Sequence, residues 1–159
     1  MLLGTMVLPV LIQGGMGAAI SGWRLAREVS LLGQLGVVSG TAINSVMARR
    51  LQDGDAGGHM RRALEHFPEP EAAHAVIARY FQPEGRRGRP YRLCSMPSAR
   101  PSLRFLREVV LGAFAEVFLA KEGHGGIVGI NFLEKIQFPN LAGLYGALLA
   151  GVDYVLMGA

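Results

Sequence analysis

Residues 8–12, Leu-Pro-Val-Leu-Ile, form a short apolar run that breaks without a linker into Gln13-Gly-Gly-Met-Gly17. Strands buried on both faces are continuous apolar runs, whereas half-exposed strands alternate, so this run predicts a parallel strand covered by helices. Three similar runs follow: residues 35–38, leading into Ser39-Gly40-Thr41; residues 126–132, with Asn131 near the end; and residues 152–157. Between the first two, Ser21 is placed to cap a helix with Leu25, Val29 and Leu32 on one face and Gly33 as its stop. Between the last two, Asn140 opens a helix on Leu141, Leu144 and Leu148 that Gly151 ends.

From about Asn44 the pattern changes. Met60, Ala63, Leu64 and Phe67 make one helical stripe closed by Pro68, and Ala73, Ile77 and Tyr80 make another after Pro70. A loop rich in Gly, Arg and Pro, residues 82–101, leads to a long helix with Leu103, Leu106, Val110, Phe114 and Val117 inward, ending at Gly123. The expected architecture is therefore parallel α/β, a single domain over 1–159 of about four strands, with a mostly helical insertion at about 44–120. Right-handed crossovers would bring the C-terminal ends of all strands to one side.

With 159 residues, half of them hydrophobic, the chain is long enough for one sizeable core. The net charge of +4 is carried mostly by arginine, which permits anionic ligands without specifying nucleic acid. Cys94 is the single cysteine; it excludes an internal disulfide framework and fits a reducing, cytoplasmic compartment. The first twenty residues are apolar, but they carry no positive leading segment and are interrupted by Pro9 and Gln13, so neither a secretion signal nor a membrane span is expected. The last apolar run has no covering helix after it, which leads us to expect either a continuation in a longer protein or association with a second copy.

The predicted geometry sorts the polar residues. Gln13, Ser39, Thr41, Asn131 and Lys135 fall at or just past strand C-termini, the ligand-binding side of α/β sheets and barrels. His124 precedes its strand and belongs to the opposite end, as a loop residue at a helix terminus. Gly14, Gly15 and Gly17 do not make the dinucleotide fingerprint, since Ile20 stands where its last glycine belongs. His59 and His66 could share a helix face but lack further ligands for a metal. Arg87-Gly-Arg-Pro90 matches a short hook that reads AT-rich minor grooves, yet it occurs once, in no wider basic tract, so no nucleic-acid partner is expected. Glu134 and Lys135 suit a surface ion pair or a ligand contact equally.

Leu8-Pro-Val-Leu-Ile-Gln-Gly-Gly-Met-Gly17, Leu35-Gly-Val-Val-Ser-Gly40, Gly129-Ile-Asn131 and Ala150-Gly-Val-Asp-Tyr-Val-Leu-Met-Gly-Ala159 together resemble the nitronate monooxygenases, formerly 2-nitropropane dioxygenases. These are FMN-dependent (β/α)8 barrels, a family that shades into flavin-dependent enoyl reductases. The resemblance implies a partial TIM barrel in which Gln13, Gly14, Gly15 and Met16 lie against the flavin ring and Asn131 hydrogen-bonds it. Ser39 and Gly40 join the cofactor-binding set by position. The family's catalytic histidine and phosphate-binding glycine loops belong to later strands, so His59, His66, His74 and His124 are not assigned as base and no catalytic residue is expected here. The implied activity is oxidation of nitronates or nitroalkanes by oxygen. The alternatives are flavin-dependent reduction of an enoyl thioester and, from another class, a non-catalytic or complementing half-barrel.

Overall fold

A computed structural model describes residues 8–158. In chain order its elements are α1 (Trp23–Leu31), β1 (Gly36–Ser39), α2 (Ile43–Gln52), α3 (His59–Glu65), α4 (Pro70–Tyr80), α5 (Leu103–Lys121), β2 (Val128–Leu133), α6 (Asn140–Leu149) and β3 (Tyr154–Gly158). The three strands form one parallel sheet in the order β1-β2-β3, with Ser39 beside Asn131 and Asn131 beside Leu156. Parallel neighbours need long crossovers. Here α2 to α5 supply the first and α6 the second.

The expected first strand over residues 8–12 is reduced to a single parallel bridge, Ile12 to Leu35, and its apolar side chains are exposed. The sheet therefore has three strands where about four were expected. The ladder begins normally, with Leu35 N–H donating to Leu11 O at 3.1 Å and Gln13 N–H to Leu35 O at 3.0 Å. The next rung, from Val37 N–H, goes instead to the Gln13 side-chain Oε1 at 3.0 Å. A side-chain amide thus takes the place of the backbone carbonyl, and the chain turns away through Gly14 and Gly15. No closed barrel forms among the described residues.

Helices α1, α5 and α6 pack as a layer on one face of the sheet, with α5 in the middle. Val38, Val128, Ile130 and Phe132 point into this layer and join its core. Helix α5 is buried on nearly all sides, from Phe105 to Ala120, because α2, α3 and α4 close over its outer surface. The stripe Met60, Ala63, Leu64 and Phe67 is buried as the spacing predicts. In α5, however, Leu103 is exposed, and Phe105 and Val109 carry the first inward turns.

Two predicted helix faces are reversed. In α1 the buried side is Trp23, Ala26 and Ser30, while Leu32 is 79% exposed. In α6 it is Ala142, Gly143, Gly146 and Ala147, while Leu141 is 80% exposed. Close approach explains both. A Cβ on Gly36 would collide with the backbone of Ala26 in α1, and one on Gly146 with the Val110 carbonyl of α5. Small residues set these contacts, and the bulkier leucines are turned outward.

Candidate functional site

The sheet's other face, away from the helix layer, carries Val37, Ser39, Gly129 and Asn131. At its C-terminal end the chain following Ile12 folds back over β1 and β2. Asn131 Nδ2 donates to Gly15 O at 2.9 Å. Gly15 lies so close that a Cβ there would sit 2.7 Å from Asn131 Cβ, 2.8 Å from Val37 Cγ1 and 3.1 Å from Val38 O. Only glycine fits that approach.

The loop is held from within by Ser21. Its Oγ accepts from Met16 N–H at 2.9 Å and from Gln13 Nε2 at 3.0 Å, and donates to Gly14 O at 2.9 Å. Ser21 O also accepts from Ser39 N–H at 2.8 Å. A capping role was expected for Ser21; the α1 N-terminus is satisfied instead by Glu116 of α5, whose Oε2 accepts from Trp23 N–H at 2.9 Å. No periodicity marks this role of Ser21, because its partners are loop atoms.

Gln13, Gly14, Gly15, Ser39 and Asn131 are thus brought together. Gln13 Oε1 is engaged by Val37 and its Nε2 by Ser21 and Gly14 O, so this side chain shapes the loop. Ser39 is buried, with its Oγ accepting from Thr41 N–H at 3.3 Å. Gly40 turns to the helix side, where a Cβ would meet the Phe132 ring at 2.5 Å. Met16 is exposed. Among the described residues, the N–H groups of Gly14 and Gly15 and Oδ1 of Asn131 have no hydrogen-bond partner. Two donors and one acceptor therefore remain at the strand ends, in partly open surroundings.

The remaining candidates lie elsewhere. His124 joins the end of α5 to the start of β2, with Nε2 2.6 Å from Ala120 O and Nδ1 accepting from Gly126 N–H at 3.1 Å. His59 packs on Trp23 with ring centroids 4.9 Å apart and accepts from Arg62 at 3.1 Å. Burial pushes its pKa down, aided by the cations Arg62 and Arg24. Among the described residues no group of three or more His, Cys, Asp or Glu could hold a metal ion. Burial raises the Cys94 thiol pKa. In the Arg-Gly-rich loop, Arg86 pairs with Asp53 at 2.8 Å and stacks on Tyr91, Arg87 pairs with Glu84, and Arg89 binds Gln82 at 3.3 Å. Glu134 and Lys135 are exposed and make no ion pair with each other. No helix among the described residues is long and apolar enough to cross a membrane.

Comparison with protein-family models, curated proteins and solved structures finds no match to this chain.

Proposed function

We propose that the Gln13–Met16 loop and Asn131 form the flavin-facing wall of an FMN-dependent oxidoreductase of the nitronate monooxygenase kind, built as a partial (β/α)8 barrel. The observation that carries this reading is the contact between Asn131 and Gly15, which joins the two motifs that the resemblance assigns to the flavin. Sheet order lends support. The bridge at Ile12 and then β1, β2 and β3 neighbour one another in chain order, with α1, α5 and α6 on one face. Doubly wound sheets reverse their strand order, whereas singly wound barrels do not.

The free groups fit a flavin's polar edge. The N–H groups of Gly14 and Gly15 would donate to ring oxygen or nitrogen, and Asn131 Oδ1 would accept from a ring N–H. Gln13 and Ser21 hold these donors in place by hydrogen bonds of their own. Bound FMN supplies the capacity to take electrons from a nitronate and hand them to oxygen. Ser39, sealed beneath the loop, acts through the position of Asn131, its neighbour across the ladder.

The test is made on the purified, FMN-supplemented protein. Oxygen uptake driven by propyl-2-nitronate, with FMN retained, is the expected result. Reduction of a crotonyl thioester by a nicotinamide, without nitronate-driven oxygen uptake, would transfer the same site to the enoyl reductases. Failure to bind FMN sinks both readings and leaves the non-catalytic one.

A further inference from the structure

A second groove runs between the chain after Met16, the start of α1, and helices α2 and α3. A cavity of about 360 Å³ has Ala18, Ala19, Ala42, Ser45, Arg49 and Tyr91 in its wall. A smaller hollow of about 170 Å³ is walled by Trp23, Arg24, Asp55 and His59. The two meet at Arg50 and Asp53, which line both. Ala18 and Ala19 continue the Gln13–Met16 loop and Ala42 lies just past β1, so the groove opens at the strands' C-terminal side.

The acids of this groove are already answered. Asp53 pairs with Arg86 at 2.8 Å and accepts from Tyr91 OH at 2.7 Å. Asp55 pairs with Arg61 at 3.2 Å and accepts from the N–H groups of Met60 and Arg61. Buried Glu116 takes Nη1 of Arg50, whose Nε and Nη2 have no partner among the described residues. The other cations are unanswered. Arg24 and Arg49 are exposed and make no ion pair or side-chain hydrogen bond among the described residues; Arg24 lies over the Trp23 ring at 4.4 Å and Arg49 over the Tyr91 ring at 5.0 Å. Stacking of this kind orients a guanidinium and leaves its N–H edge open. Arg24, Arg49, Arg50, Arg61 and Arg86 thus face only Asp53, Asp55 and Glu116, and the excess positive charge sits on the two side chains that a ligand can reach.

We propose that this groove binds a ligand through a diphosphate group, with one phosphoryl on Arg24 and Arg50 and the other on Arg50 and Arg49. Guanidinium forks match phosphate oxygens in pairs, which gives the contact direction as well as energy. A single carboxylate would answer one of the two free arginines and leave the other, whereas two linked phosphoryl groups answer both. The organic remainder of the ligand lies against Ala18, Ala19 and Ala42, beside the proposed flavin wall, as the anchored end of a coenzyme or a thioester substrate would. The site is independent of the flavin reading, since it shares no residue with the Gln13–Met16 loop or Asn131 and its test contains no flavin.

Calorimetric titration with pyrophosphate, phosphate and succinate, at about 0.15 M salt to screen loose surface attraction, tests the assignment. Pyrophosphate is expected to bind saturably at millimolar concentration or below, and phosphate and succinate at least about tenfold more weakly. Arg24→Met and Arg49→Met replace exposed side chains and keep an apolar contact on the rings, so each should weaken pyrophosphate about tenfold or more with circular dichroism unchanged. Arg107→Met removes the same charge from an exposed position outside the groove and should leave the affinity unchanged. Displacement of pyrophosphate by NADH or by coenzyme A then tells a nicotinamide from an acyl carrier as the bearer of the group. Succinate binding as tightly as pyrophosphate, unchanged affinity in Arg24→Met or Arg49→Met, an equal loss in Arg107→Met, displacement by neither coenzyme, or no saturable binding of pyrophosphate would overturn the proposal.

Discussion

Asn131 on β2 and Gly15 in the loop after the Ile12 bridge are 116 residues apart in the chain and joined by a 2.9 Å hydrogen bond from side-chain amide to backbone carbonyl. The contact depends on the absence of a side chain at position 15, because any Cβ would enter the space of Asn131 and Val37. Gly15→Ala should therefore destabilise the fold by about 1–3 kcal/mol, the usual cost of overpacking. Urea denaturation measures it, and a midpoint equal to the parent's would show that the loop sits farther from the sheet.

Ser21 organises the same loop. Its buried hydroxyl makes three hydrogen bonds to Gly14, Met16 and Gln13. Ser21→Ala should cost about 1 kcal/mol, the net worth of hydrogen bonds whose partners on Gly14 and Met16 water can reach once the hydroxyl is gone. Amide hydrogen exchange at Met16 and Val37 should rise in parallel. Exchange unchanged at both would place the loop's anchor elsewhere.

Glu116 is 1% exposed and receives the Arg50 guanidinium and the Trp23 N–H. Burial holds its pKa above the ordinary carboxylate value, against the opposing pull of Arg50. Removing one partner strands the other, so Arg50→Met should destabilise the protein by roughly 2–4 kcal/mol, somewhat less than for a fully buried pair because Arg50 is partly solvated. The paired change Arg50→Met with Glu116→Leu should recover part of that loss. Thermal denaturation of the single and double variants decides it.

His59 provides a pH dependence with a definite sign. Its pKa is lowered in the folded state, so the unfolded chain binds more protons below the ordinary value of 6.5 and stability falls as pH drops through that region. His59→Asn should flatten the stability profile just below pH 6.5. Glu122 adds a second step lower down. The hydrogen bonds from Arg62 depress its carboxyl below 4.5, so its contribution is present above that pH and is lost as acid protonates it. Denaturation midpoints across the pH range separate the two.

Much of the fold was legible where pattern and packing coincide. The runs at 35–38, 126–132 and 152–157 became the three strands because they are apolar and bounded by polar or glycine-rich segments. Helices α3 and α4 follow their proline boundaries. The faces of α1 and α6 were illegible for a physical reason: periodicity locates an apolar stripe but not the small-residue stripe that permits closest approach, and here Ala26, Gly143 and Gly146 made the contacts. The run at 8–12 read as buried from composition alone, yet Gln13 ends its ladder after one bridge. For the site, Gln13, Gly15 and Asn131 were visible as polar or glycine positions at strand ends. The roles of Ser21 and Glu116 were not, since each bonds backbone groups that no sequence pattern marks.

In the proposed reading, Asn131 and the Gly14–Gly15 loop form one wall of a flavin site. Titration of FMN into the protein, followed by quenching of flavin fluorescence, tests it most directly when the parent is compared with Asn131→Ala. Saturable quenching by the parent is expected, with affinity lower by about tenfold or more in the variant and circular dichroism unchanged. Equal FMN affinity in the two proteins, or none in the parent, would contradict it.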